Sequence, residues 1–316
     1  MIVTVTPNPA LDVSYQVDRL RPGHTHRIGT VHERAGGKGF NVSRVLTDLG
    51  RDTIAIGPVG GVLGDSVRAD LDDAGIRHAL LPVSAPTRMT ITVVATSAPE
   101  GEEATLFTEP GGPVADDDWR RLHDLVQSHL ETAKVLVCSG SLPPGAPVDC
   151  YADLVRLGHA HAIPVLVDAG GPALRQACAA GADVVKPNAA ELAEAVGGDD
   201  PVAGAELLRA EGAGAVVVSL GVDGMIAVTG DGRWRAEPPY AVAGNPTGAG
   251  DAAVAALATG LAEAQPWPQR LRAAVAWSSA AVAAPVAGSV DQTVLADVRD
   301  QVRLTNLDLT EPARPT

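Results

Sequence analysis

Between residues 116 and 220 the chain alternates between short, mostly apolar runs and longer stretches of helical periodicity. That alternation restricts the possible fold more than any other feature. The runs 135–138, 164–167, 183–185 and 215–220 are rich in Val and Leu and lack a polar face, as expected of strands buried on both sides. Between them, 148–160, 173–179, 189–195 and 201–211 carry apolar residues at helical spacing. Repetition of strand, helix and strand implies an α/β fold with a mostly parallel sheet covered by helices on both faces. In such sheets ligands bind beyond the carboxyl ends of the strands. Ser139, Asp168, Lys186, Asn188 and Ser219 all fall at or just after those ends.

A second constraint comes from the segment GNPTGAGD at 244–251, which runs directly into the Ala-rich stretch 252–261. A helix starting near 247–250 aims unpaired backbone N–H groups, and the positive end of its dipole, at one point. That arrangement favours an anion such as a transferring phosphate, and the small residues let it approach the backbone. Asp251 then lies in the first turn, placed to take a proton from an attacking hydroxyl. The structural alternative is a glycine-rich helix start with a favourable first-turn carboxylate. Lysine sharpens the choice. Only Lys38, Lys134 and Lys186 occur among 24 basic residues. Lys38 sits in the glycine-rich AGGKGFN (35–41), again leading into a helical pattern (Val42, Val45, Leu46, Leu49). Lys186 sits where a strand gives way to a helix, and Lys134 reads as a solvated strand end.

Composition excludes other classes. With 316 residues the chain has room for one large α/β unit and a small appendage. Aromatics make up only 3%, so the core is built from Ala, Val and Leu. A net charge of −14 argues against a nucleic-acid partner and requires any anionic substrate to be held by a local cluster of positive groups. Three cysteines without metal-ligand spacing read as reduced thiols of a cytoplasmic protein. The first residues read as a strand rather than a signal peptide, and no apolar run is long enough to imply a membrane span. The Ala-rich stretch 273–287 is expected as a buried helix, and the histidines show no ligand spacing.

Two regions depart from the α/β pattern. Residues 12–17 with 27–34, and 90–96 with 104–108, alternate like half-exposed strands, the second pair joined through 97–103. They are expected to form a small sheet standing off the core, as a lid or an oligomer contact. Edge strands of the main sheet are the alternative.

Taken together, these motifs resemble the PfkB (ribokinase-like) carbohydrate kinases. AGGKGFNVSRVLTDLG (35–50) is similar to the first signature of that family and NPTGAGD (245–251) to the second. CSGSLPPG (138–145), KPNAAE (186–191) and SLGVDG (219–224) lie between them in the family's order. TPNPALD (6–12), the segment 87–90 and the segment 109–111 resemble the branch of 1-phosphofructokinase and tagatose-6-phosphate kinase. The resemblance implies a ribokinase-like core from residues 1–11, 35–86 and 111–309. It implies a discontinuous β lid from 12–34 and 87–110, and leaves 310–316 as a flexible tail.

It also implies roles. Asp251 would be the base, with Gly248, Ala249 and Gly250 forming a backbone anion hole. Asp12, Gly37 and Asn41 would hold sugar hydroxyls. Lys38 and Arg88, with Ser139 and Arg27, would bind the phosphate already on the sugar. Lys186, Asn188, Ser219, Gly221 and Gly224 would contact ATP, and Glu191 with Asn188 would hold Mg²⁺, in part through water. The implied activity is transfer of the γ-phosphoryl group of ATP to fructose 1-phosphate or tagatose 6-phosphate by a homodimer joined through the lid. A kinase for an unphosphorylated sugar, cyclitol or nucleoside, and a non-catalytic sugar-phosphate-binding regulator, are the competing implications.

Each role has a structural counterpart. Asn188 and Glu191 have the spacing of a capping box, Arg88 is open to pairing with a carboxylate, Asp12 is a plausible turn residue, and Asp168 suits a metal shell or a strand-end turn. After Asp251 the branch often carries Ser and then a Gly-containing helix, whereas this chain has Ala252–Ala256 without either.

Overall fold

In the computed structural model, residues 1–98, 101–284 and 286–309 are described, so the tail 310–316, Pro285 and part of the connection 97–103 lie outside the described residues. The strands of the first half are β1 (Ile2–Val5), β2 (Ala10–Val17), β3 (Val31–Gly36), β4 (Thr53–Val59), β5 (His78–Pro82), β6 (Arg88–Ala98) and β7 (Gly101–Thr108). Those of the second half are β8 (Val135–Ser139), β9 (Val165–Asp168), β10 (Val184–Val185), β11 (Val216–Ser219), β12 (Met225–Thr229), β13 (Gly232–Glu237) and β14 (Arg303–Asn306). The α-helices are α1 (Lys38–Asp48), α2 (Gly61–Asp73), α3 (Asp116–Gln127), α4 (Cys150–Ala160) and α5 (Gly171–Ala179). They continue with α6 (Ala189–Val196), α7 (Pro201–Ala210), α8 (Ala249–Ala262), α9 (Trp267–Val282) and α10 (Gln292–Val298).

The large sheet runs β14-β13-β12-β11-β10-β9-β8-β1-β4-β5. From β5 to β11 all pairings are parallel, and β11 to β14 pair antiparallel. The expected parallel alternation therefore holds through β11, and the antiparallel edge is an addition to it. The connections from β11 to β12 and from β12 to β13 carry no α-helix, so these strands lack the helix-separated rhythm that made the others legible, while β14 joins the edge only after α8, α9 and α10.

Period-two alternation along the buried strands supplies two cores, one on each face. Val3, Val5, Leu136 and Cys138 face a cluster that includes Leu122, Tyr151, Leu154 and Leu174 from α3, α4 and α5. Ile2, Val135 and Val137 face the other side, with Val42, Val45 and Leu46 of α1 and residues 252–258 of α8. The central part of α8 is buried all round, because it packs against α1, α9 and the sheet at once. Alanine suits that position: only a thin helix fits between three neighbours.

The expected helix 273–287 is corrected at both ends. α9 begins earlier, at Trp267, where Pro266 is the N-cap and Pro268 lies in the first turn, a favourable site for proline. It ends at Val282, leaving 286–289 as loop and turn.

The four strands outside the large sheet form a second one, in the order β3-β2-β6-β7. The edge-strand alternative therefore fails. The strand boundaries also shift. β2 starts at Ala10 and β3 ends at Gly36, two residues into what was expected as core on each side. These extra residues are buried, so they lack the half-exposed alternation that marked the rest. Residues 27–30, expected as strand, are loop, because the β2 partner register ends at the pair Tyr15 and Val31.

Candidate active site

The parallel strands end in step, and their register lines up the residues that follow. Ser139 pairs with Asp168 across β8 and β9, the Lys186 amide donates to the Val167 carbonyl, and Asn188 bridges to Ser219. Asp168 is the hub of this row. It is 1% exposed, and its Oδ1 lies 3.4 Å from both Lys38 Nζ and Lys186 Nζ, while Ser139 Oγ donates to Oδ2 at 3.2 Å. Burial alone would push its carboxyl group up, but the Lys186 and Lys38 ammonium groups outweigh burial and hold it below the usual carboxylate range. Lys186 is itself buried, a placement tolerable for an ammonium only beside a carboxylate.

Facing this row is the start of α8. Gly248 is its N-cap in the left-handed region, φ +87°, and a Cβ there would lie 3.0 Å from Ala287 Cα, so only glycine fits without displacement. The Ala249 amide donates to the Pro246 carbonyl. The amides of Gly248, Gly250 and Asp251 have no partner among the described residues. One member of the expected trio is thus replaced, with Asp251 supplying an unpaired donor and Ala249 none. Lys186 Nζ lies 3.5 Å from where a Cβ on Gly250 would stand, so its charge reinforces the helix terminus.

Asp251 is 6% exposed, and its Oδ2 accepts from Asn41 Nδ2 at 2.8 Å. Burial first, and then the Asp168 charge, push its carboxyl group up to about 7, against the pull of Lys38, Asn41 and Lys186. A carboxylate with that affinity for protons is matched to general-base work near neutral pH.

On the other side of Asp168, α6 opens with a complete capping box. Asn188 Oδ1 accepts from the Glu191 amide at 2.8 Å, and the Asn188 amide donates to Glu191 Oε2 at 2.9 Å. Glu191 Oε1 remains directed at Lys38 Nζ, 3.4 Å away. Among the described residues no group of three or more His, Cys, Asp or Glu is set to hold a metal. A sparse, oxygen-only donor set of this kind fits Mg²⁺, which keeps most of its waters and takes further ligands from substrate phosphates. Beyond Ser219, Gly221 and Gly224 shape a tight turn into β12. At Gly224 a Cβ would lie 2.0 Å from the Ala236 carbonyl oxygen, so the packing of β13 already demands glycine there.

The small sheet contributes a separate group. Asp12 on β2 pairs in register with Thr90 on β6 and Arg34 on β3. Burial pushes its carboxyl group up to about 6, opposed by Arg88 and by a hydrogen bond from Thr90. Arg88 is anchored through Nε on the Asn8 carbonyl (3.2 Å) and through Nη1 on the Glu109 carbonyl (3.1 Å). Its Nη2 has no partner among the described residues. Gly37 has φ +102° and a Cβ there would lie 2.7 Å from Thr6 Cγ2, so this glycine is required by the packing of the strand-to-helix turn.

Of the four residues expected to bind the acceptor's phosphate, Lys38 and Ser139 meet on the Asp168 carboxylate, whereas Arg88 and Arg27 have no hydrogen bond or ion pair to it among the described residues. The charged neighbours of Lys38 are Asp168, Glu191 and Asp251, whereas those of Arg88 are Asp12 and Glu109. Ser139 is fully buried against Asp168. Arg27 is exposed in the loop between β2 and β3, with no hydrogen bond or ion pair to the site among the described residues. Two residues had escaped notice. Asn8 Nδ2 donates to the Pro110 carbonyl (3.0 Å) and to Ser141 Oγ (3.2 Å), joining three separate segments beside Arg88. A Cβ on Gly36 would fall 2.1 Å from the Asp12 carboxyl carbon, so the bare backbone makes room for that side chain. Gly36 was visible as the first of two consecutive glycines and Asn8 within the TPNPALD motif, but no local signal gave Asn8 the partners it has. A cavity of about 720 Å³ beside α5 and α6 contains none of these groups, and its Arg175 is already paired with Glu211.

A parallel sheet with a carboxylate at an open helix terminus and paired ammonium groups at the strand ends defines a phosphoryl-transfer enzyme of the α/β class. The sequence profile of the pfkB family carbohydrate kinases matches residues 8–293, and the chain belongs to that family. Phosphofructokinase-2 from Escherichia coli in complex with potassium is 31% identical, with a TM-score of 0.88 over 95% of this chain and 98% of that one. The same enzyme in complex with fructose-6-phosphate gives 31% and 0.85 over 94% and 98%. A possible 1-phosphofructokinase from Thermotoga maritima is 26% identical, with a TM-score of 0.82 over 97% and 99%. No described helix is long and apolar enough to cross a membrane.

Proposed function

We propose that this carbohydrate kinase uses ATP and Mg²⁺ to phosphorylate a ketohexose that already carries one phosphate, fructose 1-phosphate or tagatose 6-phosphate. One observation carries the reading. Asp251, a buried carboxylate with raised proton affinity, is held by Asn41 at the turn of α8 whose amides are unpaired, with Lys186 beside it. Asp251 removes the proton from the acceptor hydroxyl as its oxygen attacks the γ-phosphorus, and the bond to the ADP oxygen breaks in line. The free amides and Lys186 neutralise charge on the moving group. Bound Mg²⁺ would neutralise charge on the ATP phosphates, with Glu191 and Asn188 holding it through water. Ser219, Gly221 and Gly224 border the nucleotide.

Arg88 supports the acceptor's own phosphate. Its guanidinium is fixed by two backbone carbonyls, retains a free Nη2, and stands beside Asp12, the residue assigned to sugar hydroxyls. Lys38, tied to Asp168 and Glu191, serves the transfer end. That its charged neighbours differ from those of Arg88 favours a second reading, a kinase for an unphosphorylated sugar, cyclitol or nucleoside. The small sheet acts as a lid over the acceptor. Val31 and Phe107, about half exposed (48% and 55%), share one face of it by register, a surface suited to pairing two copies as a homodimer. Three buried, unpaired cysteines suit a cytoplasmic setting.

The test is ADP release with MgATP against fructose 1-phosphate, tagatose 6-phosphate, fructose 6-phosphate and the matching free sugars. Preference for one phosphorylated ketohexose is the expected result. Turnover of free sugars or nucleosides alone selects the second reading, and retained binding without turnover of any acceptor selects a regulator.

A further inference from the structure

One side chain spans the gap between the small sheet and the back of the phosphoryl-transfer site. Arg34 on β3 donates from Nη1 to the Ala287 carbonyl at 2.8 Å and to Ser289 Oγ at 3.2 Å, reaching across 253 positions of sequence. The segment it grips forms the wall behind the site. Ala287 Cα would lie 3.0 Å from a Cβ on Gly248, the N-cap of α8. Gly288 has φ +78°, a conformation that favours glycine, and a Cβ there would press on Asn41 Oδ1 (3.2 Å) and Arg44 Cδ (3.1 Å). Asn41 in turn holds Asp251. At its other end Arg34 is the register partner of Asp12 across β2 and β3. The next residue fixes the strand to the core, for the Ala35 amide donates to Asp70 Oδ2, which is also paired with the buried Arg44.

We infer that Arg34 is a positioning residue that couples the acceptor-binding strand to the anion hole. A shift of β2 and β3 on contact with the acceptor at Asp12 is transmitted through Arg34 to 287–289. That segment then sets Gly248 and Asn41, and through them the amides and the base. The inference rests on the kinase reading above and adds that correct geometry at α8 depends on where the small sheet sits. A polar group bridging two elements by hydrogen bonds to backbone and hydroxyl is suited to this. It holds in one relative position and has no apolar substitute when the sheet moves. Misplacement of about 1 Å lowers transfer by as much as about 100-fold.

The experiment compares wild type with Arg34→Ala, Arg34→Lys and Ser289→Ala. Arg34→Ala is expected to lower kcat for transfer about 10- to 100-fold with KM for ATP little changed. Hydrolysis of ATP, in which water attacks the γ-phosphorus to give ADP and phosphate, should fall less, so the ratio of hydrolysis to transfer rises. Arg34→Lys restores part of the loss, because one ammonium can still reach the Ala287 carbonyl, and Ser289→Ala gives a smaller effect of the same kind. Hydrogen exchange provides a readout independent of acceptor identity: amides of 286–290 and 248–252 should exchange faster in Arg34→Ala while those of β1 and β8 do not. Wild-type exchange at both segments, with an unchanged kcat and ratio, overturns the coupling. Uniformly faster exchange everywhere also overturns it, by reducing Arg34 to a stability residue. If wild type turns over no sugar phosphate but the local exchange effect is present, the coupling stands and the proposed substrate falls.

Discussion

The transfer end and the acceptor end of this site are built on opposite principles. At the transfer end Asp168, Lys186 and Asp251 are almost fully buried, set by strand register and by the first turn of one helix, with Lys38 and Glu191 at its more open rim. At the acceptor end, Arg88 and Arg34 are only partly buried and lie on a separate sheet, anchored by contacts that join distant segments. The first is preorganised: its ammonium groups have carboxylate partners before any substrate arrives. The second has a free guanidinium edge, and one arginine, Arg34, ties it to the segment behind Gly248. Rigid electrostatics thus sits with the chemistry, and adjustable contacts sit with recognition.

The largest expected effect tests the rigid end. Asp251→Asn should lower kcat about 10³-fold while both substrates still bind by calorimetry, since general-base assistance contributes on the order of 10²–10⁴-fold. The same variant has a stability signature. Folding raises the Asp251 proton affinity from its ordinary 3.8 to about 7, so wild type loses stability as pH rises between those values. The Asn variant escapes that loss, and its Tm advantage should be larger at pH 8 than at pH 4. Equal Tm differences at both would show that Asp251 titrates normally.

Asp168→Asn comes next. Removing its charge lowers the proton affinity of Asp251 and leaves Lys38 and Lys186 without their shared partner. Turnover requires the Asp251 carboxylate, so wild-type kcat should rise with pH through about 7. In Asp168→Asn that limb moves to lower pH, and the plateau drops on the order of 10-fold as the lysines lose their place. A plateau loss without movement of the limb would assign Asp168 to holding the lysines alone.

The flexible end should respond in KM. Arg88→Ala is expected to raise KM for phosphorylated acceptors by about 10- to 100-fold, the value of a hydrogen bond to a charged group, and to leave free sugars unaffected. Equal losses for both would remove the phosphate contact and, with it, the contrast between the two ends. The smallest effect concerns the capping box. Asn188→Ser keeps a good N-cap, so stability should change by only a few tenths of a kcal/mol, about the difference among such caps. A several-fold rise in the Mg²⁺ concentration needed for half-maximal rate would show that the Asn188 side chain has a role beyond the cap. Unchanged Mg²⁺ dependence would reduce it to the cap.

Much of the transfer end was legible in the sequence because its signals are local. Continuous apolar runs announced the buried strands, and the residues just after them are the ones that register brings into line. The glycine-rich entry to α8 announced an open helix terminus, since φ +87° at Gly248 is a conformation that asks for glycine. The pairing of Asn188 with Glu191 was visible at its three-residue spacing. Even here one detail needed the fold: the Ala249 amide is occupied and the Asp251 amide is open, which depends on the turn that Pro246 makes.

The acceptor end was legible in its residues but not in its geometry. Lys38, expected at this end from its glycine-rich segment, pairs at the transfer end instead, and the sequence offered no means to tell whether its ammonium group would turn toward Arg88 or toward Asp168. The answer is a matter of which carboxylates lie across the sheet. The roles of Asn8 and Arg34 carried no local mark, because their partners lie 102, 133 and 253 positions away. Periodicity and turn chemistry act over one or two turns of chain, so the sequence by itself determined the layered α/β frame, the anion-hole turn and the cap of α6. The directions of the charged side chains, the antiparallel edge and the bridge from the small sheet to the wall behind Gly248 were decided by packing. Only the closed tertiary structure establishes which distant groups share a buried space and must satisfy one another there.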